Sequence, residues 1–123
     1  LRFPSLFQTL ATAGAEVICL PAAFTRETTE AHWELLLRAR AVETGCHIVA
    51  ANQCGIDGAG RPAGGQSMIV APDGGVLARA SAESPDIAVA TLDRALRDDV
   101  RMRMPLTRLA RPEAGLPPER GQT

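Results

Sequence analysis

Residues 31–54 constrain the fold more than any other part of the chain, because they join a helix to a strand with almost no spacer. The spacing of apolar residues predicts an amphipathic helix over 31–44, and Gly45 is placed to end it. Residues 46–52 are apolar at odd and even positions alike, apart from His47 and the terminal amide, which is typical of a strand covered on both faces. A helix followed directly by a buried strand indicates an α/β fold.

The predicted helix has a candidate cap and a candidate buried stripe. Thr28 or Thr29 can cap its first turn, where the charge of Glu30 is also favourable. The stripe expected to face the core consists of Leu35, Ala39 and Val42, widened by Trp33, Leu36 and Leu37.

The remaining segments extend this α/β pattern into a mixed sheet. The predicted elements are, in order, a helix from Pro4, a strand over 15–20 ended by Pro21, the helix over 31–44, a strand over 46–52, a hairpin of residues 66–71 and 75–79 around Pro72-Asp73-Gly74, a strand over 86–92, and a helix capped by Asp93. Residues 1–107 are expected to belong to one domain. Residues 108–123 hold little that can be buried and are expected to be extended or disordered.

Composition excludes several classes of function. A chain of 123 residues with a net charge of −1 and no Lys/Arg block does not predict a nucleic-acid partner. No apolar run reaches the roughly 18 residues that a membrane span needs. The three cysteines have no framework spacing and are interpreted as buried, reduced thiols of a cytoplasmic protein. No His or Cys pair has the spacing of metal ligands.

Short motifs along the chain resemble one family of enzymes. They are Arg2-Phe3-Pro4, Pro21-Ala22-Ala23-Phe24, His32-Trp33-Glu34, Arg38-Ala39-Arg40-Ala41 and Ala50-Ala51-Asn52-Gln53. In this order they resemble the nitrilase superfamily of carbon–nitrogen hydrolases, and most of all its branch of deaminated-glutathione amidases and omega-amidases. The departures from the family pattern are Ser5, Gln66, Ala71 and Asp73.

The resemblance implies a fold and a chemistry. The chain would be the C-terminal half of an α-β-β-α sandwich, whose full-length protein forms homo-oligomers through helices. Members hydrolyse small amides without a cofactor, using a Cys nucleophile, a Glu general base and a Lys that stabilises the intermediate. All three would lie upstream, with the Cys about three residues before Leu1, and the chain contains no Lys. No catalytic residue is therefore predicted within the chain, and the isolated chain is expected to be inactive and to aggregate.

The same resemblance implies roles for residues that are present. Substrate binding is predicted for Ala23, Phe24, Thr25 and His32, and structural support for Arg2, Trp33, Glu34 and Arg38. Read from the residues alone, Phe24 can equally belong to the core, and His32 can be a hydrogen-bonded structural histidine. Glu34 and Arg38 have the spacing of a helical ion pair.

Two questions stay open at the level of sequence. Asn52 and Gln53, at the end of a predicted strand, can either recognise a polar substrate or anchor a loop, and anchoring is slightly favoured. The chain can be part of an amidase, a non-catalytic interaction module, or a degenerate nitrilase-like protein. The substrate of the first would be a small amide.

Overall fold

The computed structural model describes residues 1–109, in which four strands form one sheet in the order β1-β2-β3-β4. The strands are Val17–Ala22 (β1), His47–Asn52 (β2), Met68–Val70 (β3) and Val76–Arg79 (β4). β1 and β2 run parallel, whereas β2–β3 and β3–β4 are antiparallel pairs. The predicted α/β fold with a mixed sheet and a β-hairpin is confirmed. Because β1 and β2 are parallel, their carboxyl ends meet at the same edge of the sheet.

Three of the helical elements pack against one face of this sheet. The helical elements are α1 (Pro4–Thr12), α2 (Arg26–Thr28), a π-helical turn (Thr29–Trp33), α3 (Glu34–Thr44), α4 (Arg94–Arg103) and α5 (Leu106–Leu109). The core joins α1, the π-helical turn and α3 to the sheet through Phe7, Ala11, Trp33, Leu37, Ala41, Ile18, Ile48, Ala50, Met68 and Val70. Ile48 and Ala50 are two residues apart on β2, so they project from the same face of the sheet.

The long helical segment begins earlier than predicted. Thr25, not Thr28 or Thr29, is the cap, and its Oγ1 accepts a hydrogen bond from the Thr28 N–H at 3.4 Å. The helical segment therefore starts at Arg26 and passes through the π-helical turn before α3 begins. Gly45 ends α3 as predicted, with a φ of +60° that favours glycine.

The predicted buried stripe of this helix is confirmed for Trp33 and Leu37 and is wrong for Leu35, Ala39 and Val42. Leu35 is 66% exposed, while the residues that face the core are Trp33, Leu37, Arg40, Ala41 and Thr44. Both sets have helical spacing, so periodicity alone cannot separate them. Arg40 and Thr44 made the true stripe look polar in the sequence, but their polar atoms have partners inside the protein. Leu35, Ala39 and Val42 instead line an open surface groove of about 610 Å³.

Pro21 does not end β1, which continues to Ala22. The reason is the position of β1 at the edge of the sheet. The carbonyls of Glu16 and Ala22 accept hydrogen bonds from His47 and Gln53, so even-numbered residues of β1 direct their backbone groups toward β2. The nitrogen of Pro21 therefore faces the open edge, where no ladder hydrogen bond is lost.

The predicted strand over 86–92 is also wrong, because this segment pairs with no strand among the described residues. Its apolar side chains Ile87 and Val89 are 84% and 80% exposed. The alternation of apolar residues in 86–92 is compatible with a strand, but a strand forms only where a neighbouring strand can pair with it.

The predicted helix after this segment is present as α4. The Asp93 side chain caps it by accepting the N–H of Ala95 at 2.8 Å, and Val100 is buried beneath it. The next helix, α5, crosses the predicted domain boundary at residue 107. Residues 110–123 lie outside the described part. The division into residues 1–107 and a tail stays a prediction. Within residues 1–109, no helix is both long and apolar enough to cross a bilayer.

Candidate functional site

Asn52 organises the sheet edge at which β1 and β2 end. Its side chain is buried and makes three hydrogen bonds. Oδ1 accepts the N–H of Phe24 at 2.8 Å, while Nδ2 donates to Thr29 Oγ1 at 3.1 Å and to the Gly65 carbonyl at 2.7 Å. One neutral amide thereby ties the segment after β1 to the helical segment and to the loop after β2. Ligand sites of open α/β sheets lie at this kind of edge.

The loop before β3 holds Phe24 from its other side. The N–H of Gly64 donates to the Phe24 carbonyl at 2.8 Å, and the N–H of Arg26 donates to the Pro62 carbonyl at 2.9 Å. Gly64 is required for this approach, since a Cβ at that position would overlap the Thr29 side chain. Both backbone polar groups of Phe24 are therefore bonded, and its ring is held in one place.

Arg2, Phe24 and Trp33 form a stack at this edge, which we call the Arg2–Phe24–Trp33 stack. The guanidinium carbon of Arg2 lies 4.6 Å from the centroid of the Phe24 ring. The Phe24 and Trp33 rings meet edge to face at 5.2 Å. Trp33 is buried and donates its indole N–H to the Gln66 carbonyl at 2.7 Å. Cation–π and edge-to-face contacts are both favourable, so the stack connects the start of the chain to the end of β1.

The structure brings some of the predicted site residues together and leaves one apart. Ala23 is exposed beside Phe24, and Thr25 is the half-buried cap of α2. Phe24 packs against the core and also belongs to the stack. A place in the core is therefore compatible with the predicted place in a substrate pocket. His32 is exposed, and no hydrogen bond within residues 1–109 links its side chain to the stack. The substrate-binding role of these four residues stays a prediction.

Glu34 and Arg38 belong to an ionic network behind the stack. Glu34 pairs with Arg38 at 3.5 Å, as their spacing indicates, and also with Arg79. The hydrogen bond from Arg79 holds the pKa of Glu34 below its usual range. Arg79 also donates to Gln66 Oε1 at 2.7 Å, and Arg38 donates to the Gly74 carbonyl at 2.8 Å. The network braces Gln66, whose φ of +60° is unusual for a residue other than glycine.

Of two further residues that hold this site, the sequence predicts the role of one. Loop anchoring is confirmed for Asn52 by its bonds, whereas Gln53 is exposed. Arg40 belongs to a motif of the family, and its spacing to Glu43 fits an ion pair, but its burial was not predicted: its side chain is 5% exposed and its Nε donates to the Leu1 carbonyl at 3.1 Å. A signal in the sequence was the position of Arg40 three and seven residues after Leu37 and Trp33, on the face that proves to be buried.

The cysteines lie outside the stack. Cys46 is buried as predicted, Cys54 is half-buried, and Cys19 is exposed. The prediction that all three are buried was therefore wrong for Cys19, because β1 presents this side chain on the sheet face opposite Ile18. Within residues 1–109 there is no group of three His, Cys, Asp or Glu side chains that could hold a metal ion. The arrangement offers a cation, an aromatic wall and backbone groups to a ligand.

Comparison with known proteins places this geometry in a family. The sequence profile of the carbon–nitrogen hydrolases matches residues 1–102. The human deaminated glutathione amidase is 46% identical over 113 residues, which are 92% of this chain and 34% of the human protein. The crystal structure of the C. elegans NitFhit protein has a TM-score of 0.83 at 41% identity, over 89% of this chain and 26% of that one.

A third relative contains a modified active site. A mutant amidase from Nesterenkonia sp. AN1 carries the acetamide moiety of fluoroacetamide on its active-site cysteine. It has a TM-score of 0.63 at 32% identity, and the match covers 83% of this chain and 38% of that one. The chain thus spans about a third of the length of the curated relatives that it matches. Its sequence and its fold agree on one assignment, which is that the chain belongs to the carbon–nitrogen hydrolase family.

Proposed function

We propose that this chain is part of an amidase and forms one wall of the pocket that binds a small amide. The observation that carries the proposal is the Arg2–Phe24–Trp33 stack, which places the first residues of the chain against the carboxyl end of β1. In the family motif, Arg2 follows the nucleophilic cysteine by four positions. A cysteine preceding Leu1 would therefore lie near Ala23 and Phe24.

The proposed reaction is hydrolysis of a carboxamide through a thioester. An upstream glutamate accepts the proton of the cysteine thiol, and the sulfur attacks the carbonyl carbon. The C–N bond then breaks, and the departing nitrogen takes the proton from the glutamate and leaves as ammonia. Water attacks the thioester, giving a carboxylic acid and the free thiol. An upstream lysine stabilises the negative oxygen of each tetrahedral intermediate. These steps need no cofactor.

The described residues would bind and position rather than react. Ala23 offers backbone groups, the ring of Phe24 and the cap residue Thr25 shape the pocket wall, and His32 borders it. The supporting residues are Arg2, Trp33, Glu34 and Arg38, through the stack and the ionic network. Because one relative is named deaminated glutathione amidase, we propose that the substrate is a small amide that also carries a carboxylate. We also propose that the enzyme is cytoplasmic, because free cysteines fit a reducing compartment, and that it is a homo-oligomer, as the resemblance to the family implies.

The test is to read the upstream coding sequence and assay the full-length protein. We expect a cysteine codon three positions before Leu1, with glutamate and lysine codons further upstream. The full-length protein should release ammonia from deaminated glutathione or another small carboxylated amide. Mass spectrometry during turnover should detect the acyl group on that cysteine.

Two controls separate this proposal from its alternatives. Replacing the upstream cysteine with serine should abolish both ammonia release and the acyl adduct, and the isolated 123-residue chain should be inactive. A gene without that cysteine codon would overturn the proposal and favour an interaction module or a degenerate protein. Amide hydrolysis by the isolated chain would also overturn it, because none of its described residues supplies the triad.

A further inference from the structure

The first two residues of the chain are anchored through two different arginine contacts. The side chain of Arg2 lies over Phe24, which fixes where this segment meets the pocket wall. Arg40, from the middle of α3, instead binds the main chain, with its Nε donating to the Leu1 carbonyl at 3.1 Å. Leu1 is half-buried and packs against the core. The path of the backbone before α1 is therefore set from inside the protein.

Arg40 is an unusual residue for this position, since its side chain is 5% exposed on the core-facing side of α3. Burying a guanidinium costs free energy unless its donors are bonded and its charge is paired. Here Nη1 pairs with Glu43, and the guanidinium carbon lies 5.7 Å from the centroid of the Phe7 ring. The ion pair with Glu43 balances the charge of Arg40 whether or not Arg40 also bonds to Leu1. The bond to the Leu1 carbonyl is therefore a second, separate interaction.

We infer that Arg40 is a positioning residue for the nucleophile, acting through the Leu1 carbonyl. This inference rests on the proposed function, which puts the cysteine about three residues before Leu1. A hydrogen bond to the Leu1 carbonyl fixes the orientation of the peptide plane between Leu1 and Arg2, and the preceding residues extend from Leu1 at one end of that plane. Displacement of a reacting group by about 1 Å can cost on the order of 100-fold in rate, so a fixed peptide plane close to the nucleophile affects turnover more than binding.

The test compares three substitutions in the full-length enzyme. Arg40→Met keeps most of the side-chain volume and removes every donor. Arg40→Lys keeps a cation and a donor but loses the planar fork. Glu43→Gln weakens the ion pair and leaves the bond from Arg40 to Leu1 available. For each variant, kcat and KM are measured on the amide that the wild type hydrolyses, and thermal melting confirms that the protein is folded at the assay temperature.

The expected order of kcat is wild type, close to Glu43→Gln, then Arg40→Lys, then Arg40→Met. We expect Arg40→Met to lower kcat by about 10- to 100-fold while KM changes by less than about threefold, because positioning acts on the reacting group and not on the substrate. If Arg40→Met does not fold, the comparison of Arg40→Lys with Glu43→Gln decides. A lower kcat in Arg40→Lys supports the inference, and an equal or higher one overturns it.

Other results also overturn the inference. They are a wild-type kcat in folded Arg40→Met, a loss confined to KM, a failure of lysine to recover activity relative to methionine, or a loss in Glu43→Gln as large as that in Arg40→Met. The last result would assign the effect to the ion pair. Failure of the proposed function is recognised separately, because the wild-type full-length protein would then show no cysteine-dependent amide hydrolysis.

Discussion

The two ends of the parallel strand pair are held together by different kinds of interaction. At the carboxyl end, Asn52 is a buried neutral amide bonded to the Phe24 amide, the Gly65 carbonyl and Thr29. At the amino end, two arginines of α4 bind the turns that lead into β1 and β2. Arg101 donates to the carbonyls of Gly45 at 2.9 Å and Ala15 at 2.6 Å, and Arg97 pairs with Glu16 and Asp98.

This difference has a physical consequence for each end. A buried amide with three partners cannot be replaced without leaving polar groups unpaired, so the carboxyl end should be rigid and intolerant of substitution. The carboxylates that pair with Arg97 are half exposed to water, so that end should depend on salt and pH and tolerate change better. The candidate site lies at the rigid end, where precise placement matters for binding.

The strongest test of this difference is to remove the Asn52 amide at the carboxyl end of the strand pair. Asn52→Ala should lower the free energy of unfolding of the full-length protein by about 3 kcal/mol, because it leaves the Phe24 N–H and the Gly65 carbonyl without a partner. Urea denaturation measures the change. Gln53→Ala, at the exposed neighbour, is the matched control and should stay within about 0.5 kcal/mol of wild type. Equal effects of the two substitutions would show that Asn52 is not the organising residue.

Replacing a glycine tests the carboxyl end of the strand pair by crowding it. Gly64→Ala should cost about 2 kcal/mol, since the added Cβ would overlap the Thr29 side chain. Thr29→Gly should remove part of that cost in the double variant, which a double-mutant cycle in urea would report. Gly58→Ala meets no atom within 4 Å and serves as the control. Additive effects of Gly64→Ala and Thr29→Gly would contradict the predicted overlap.

Removing a charge at the amino end should have a smaller effect. Arg97→Met should cost about 1 kcal/mol, because the partners it leaves behind, Glu16 and Asp98, are half exposed and can be hydrated. The loss should shrink at 1 M salt, where exposed ion pairs are screened. Arg94→Met, at a residue with a 78% exposed side chain, should have almost no effect. A loss as large as that of Asn52→Ala would remove the contrast between the two ends.

The smallest expected effect concerns His47, the first residue of β2. Within residues 1–109 its Nε2 is buried without a hydrogen-bond partner, and burial, together with the nearby charge of Arg97, lowers its pKa. A lowered pKa means that the folded protein prefers the neutral imidazole. Stability is therefore complete above the unfolded pKa of about 6.5 and falls as the pH drops below it, by less than the roughly 1.4 kcal/mol per pH unit that one proton can supply.

Stability curves recorded between pH 7.5 and pH 5 test this expectation. Acid destabilisation should be shallower in His47→Leu than in the wild type, since leucine has no group to protonate. Asn52→Ala should keep the wild-type slope, because it lacks a titrating group and lies at the other end of β2. An unchanged slope in His47→Leu would show that the histidine does not contribute to the pH dependence.

Local patterns in the sequence were sufficient to predict most elements but not their surroundings. The helix end at Gly45, the hairpin and the α4 cap at Asp93 depend on residues close in sequence, and all three are present. The strand predicted over 86–92 failed because strand pairing is set by distant partners. The stripe predicted for the long helical segment was right for Trp33 and Leu37, but it missed Arg40 and Thr44, because the partners that permit their burial cannot be read from helical spacing.

The candidate site shows the same division. The motifs that resemble the family marked Arg2, Phe24 and Trp33, and the structure brings these three side chains together. The bonds that hold them come from Asn52, Gly64 and Gln66, whose importance depends on contacts between distant segments. Loop anchoring by Asn52 was predicted, but a lone asparagine at a strand end has too many possible partners for the anchored segments to be identified from sequence.

Pro21 has a consequence beyond the shape of β1. An unpaired strand border can recruit an extended segment of another molecule, and repeated recruitment leads to fibrous assembly. Because the proline nitrogen faces outward, an incoming strand would find no donor there and would also meet the ring. Within the sheet of residues 1–109, one residue thus leaves the β1–β2 ladder intact and makes the other border of β1 a poorer template for a foreign chain.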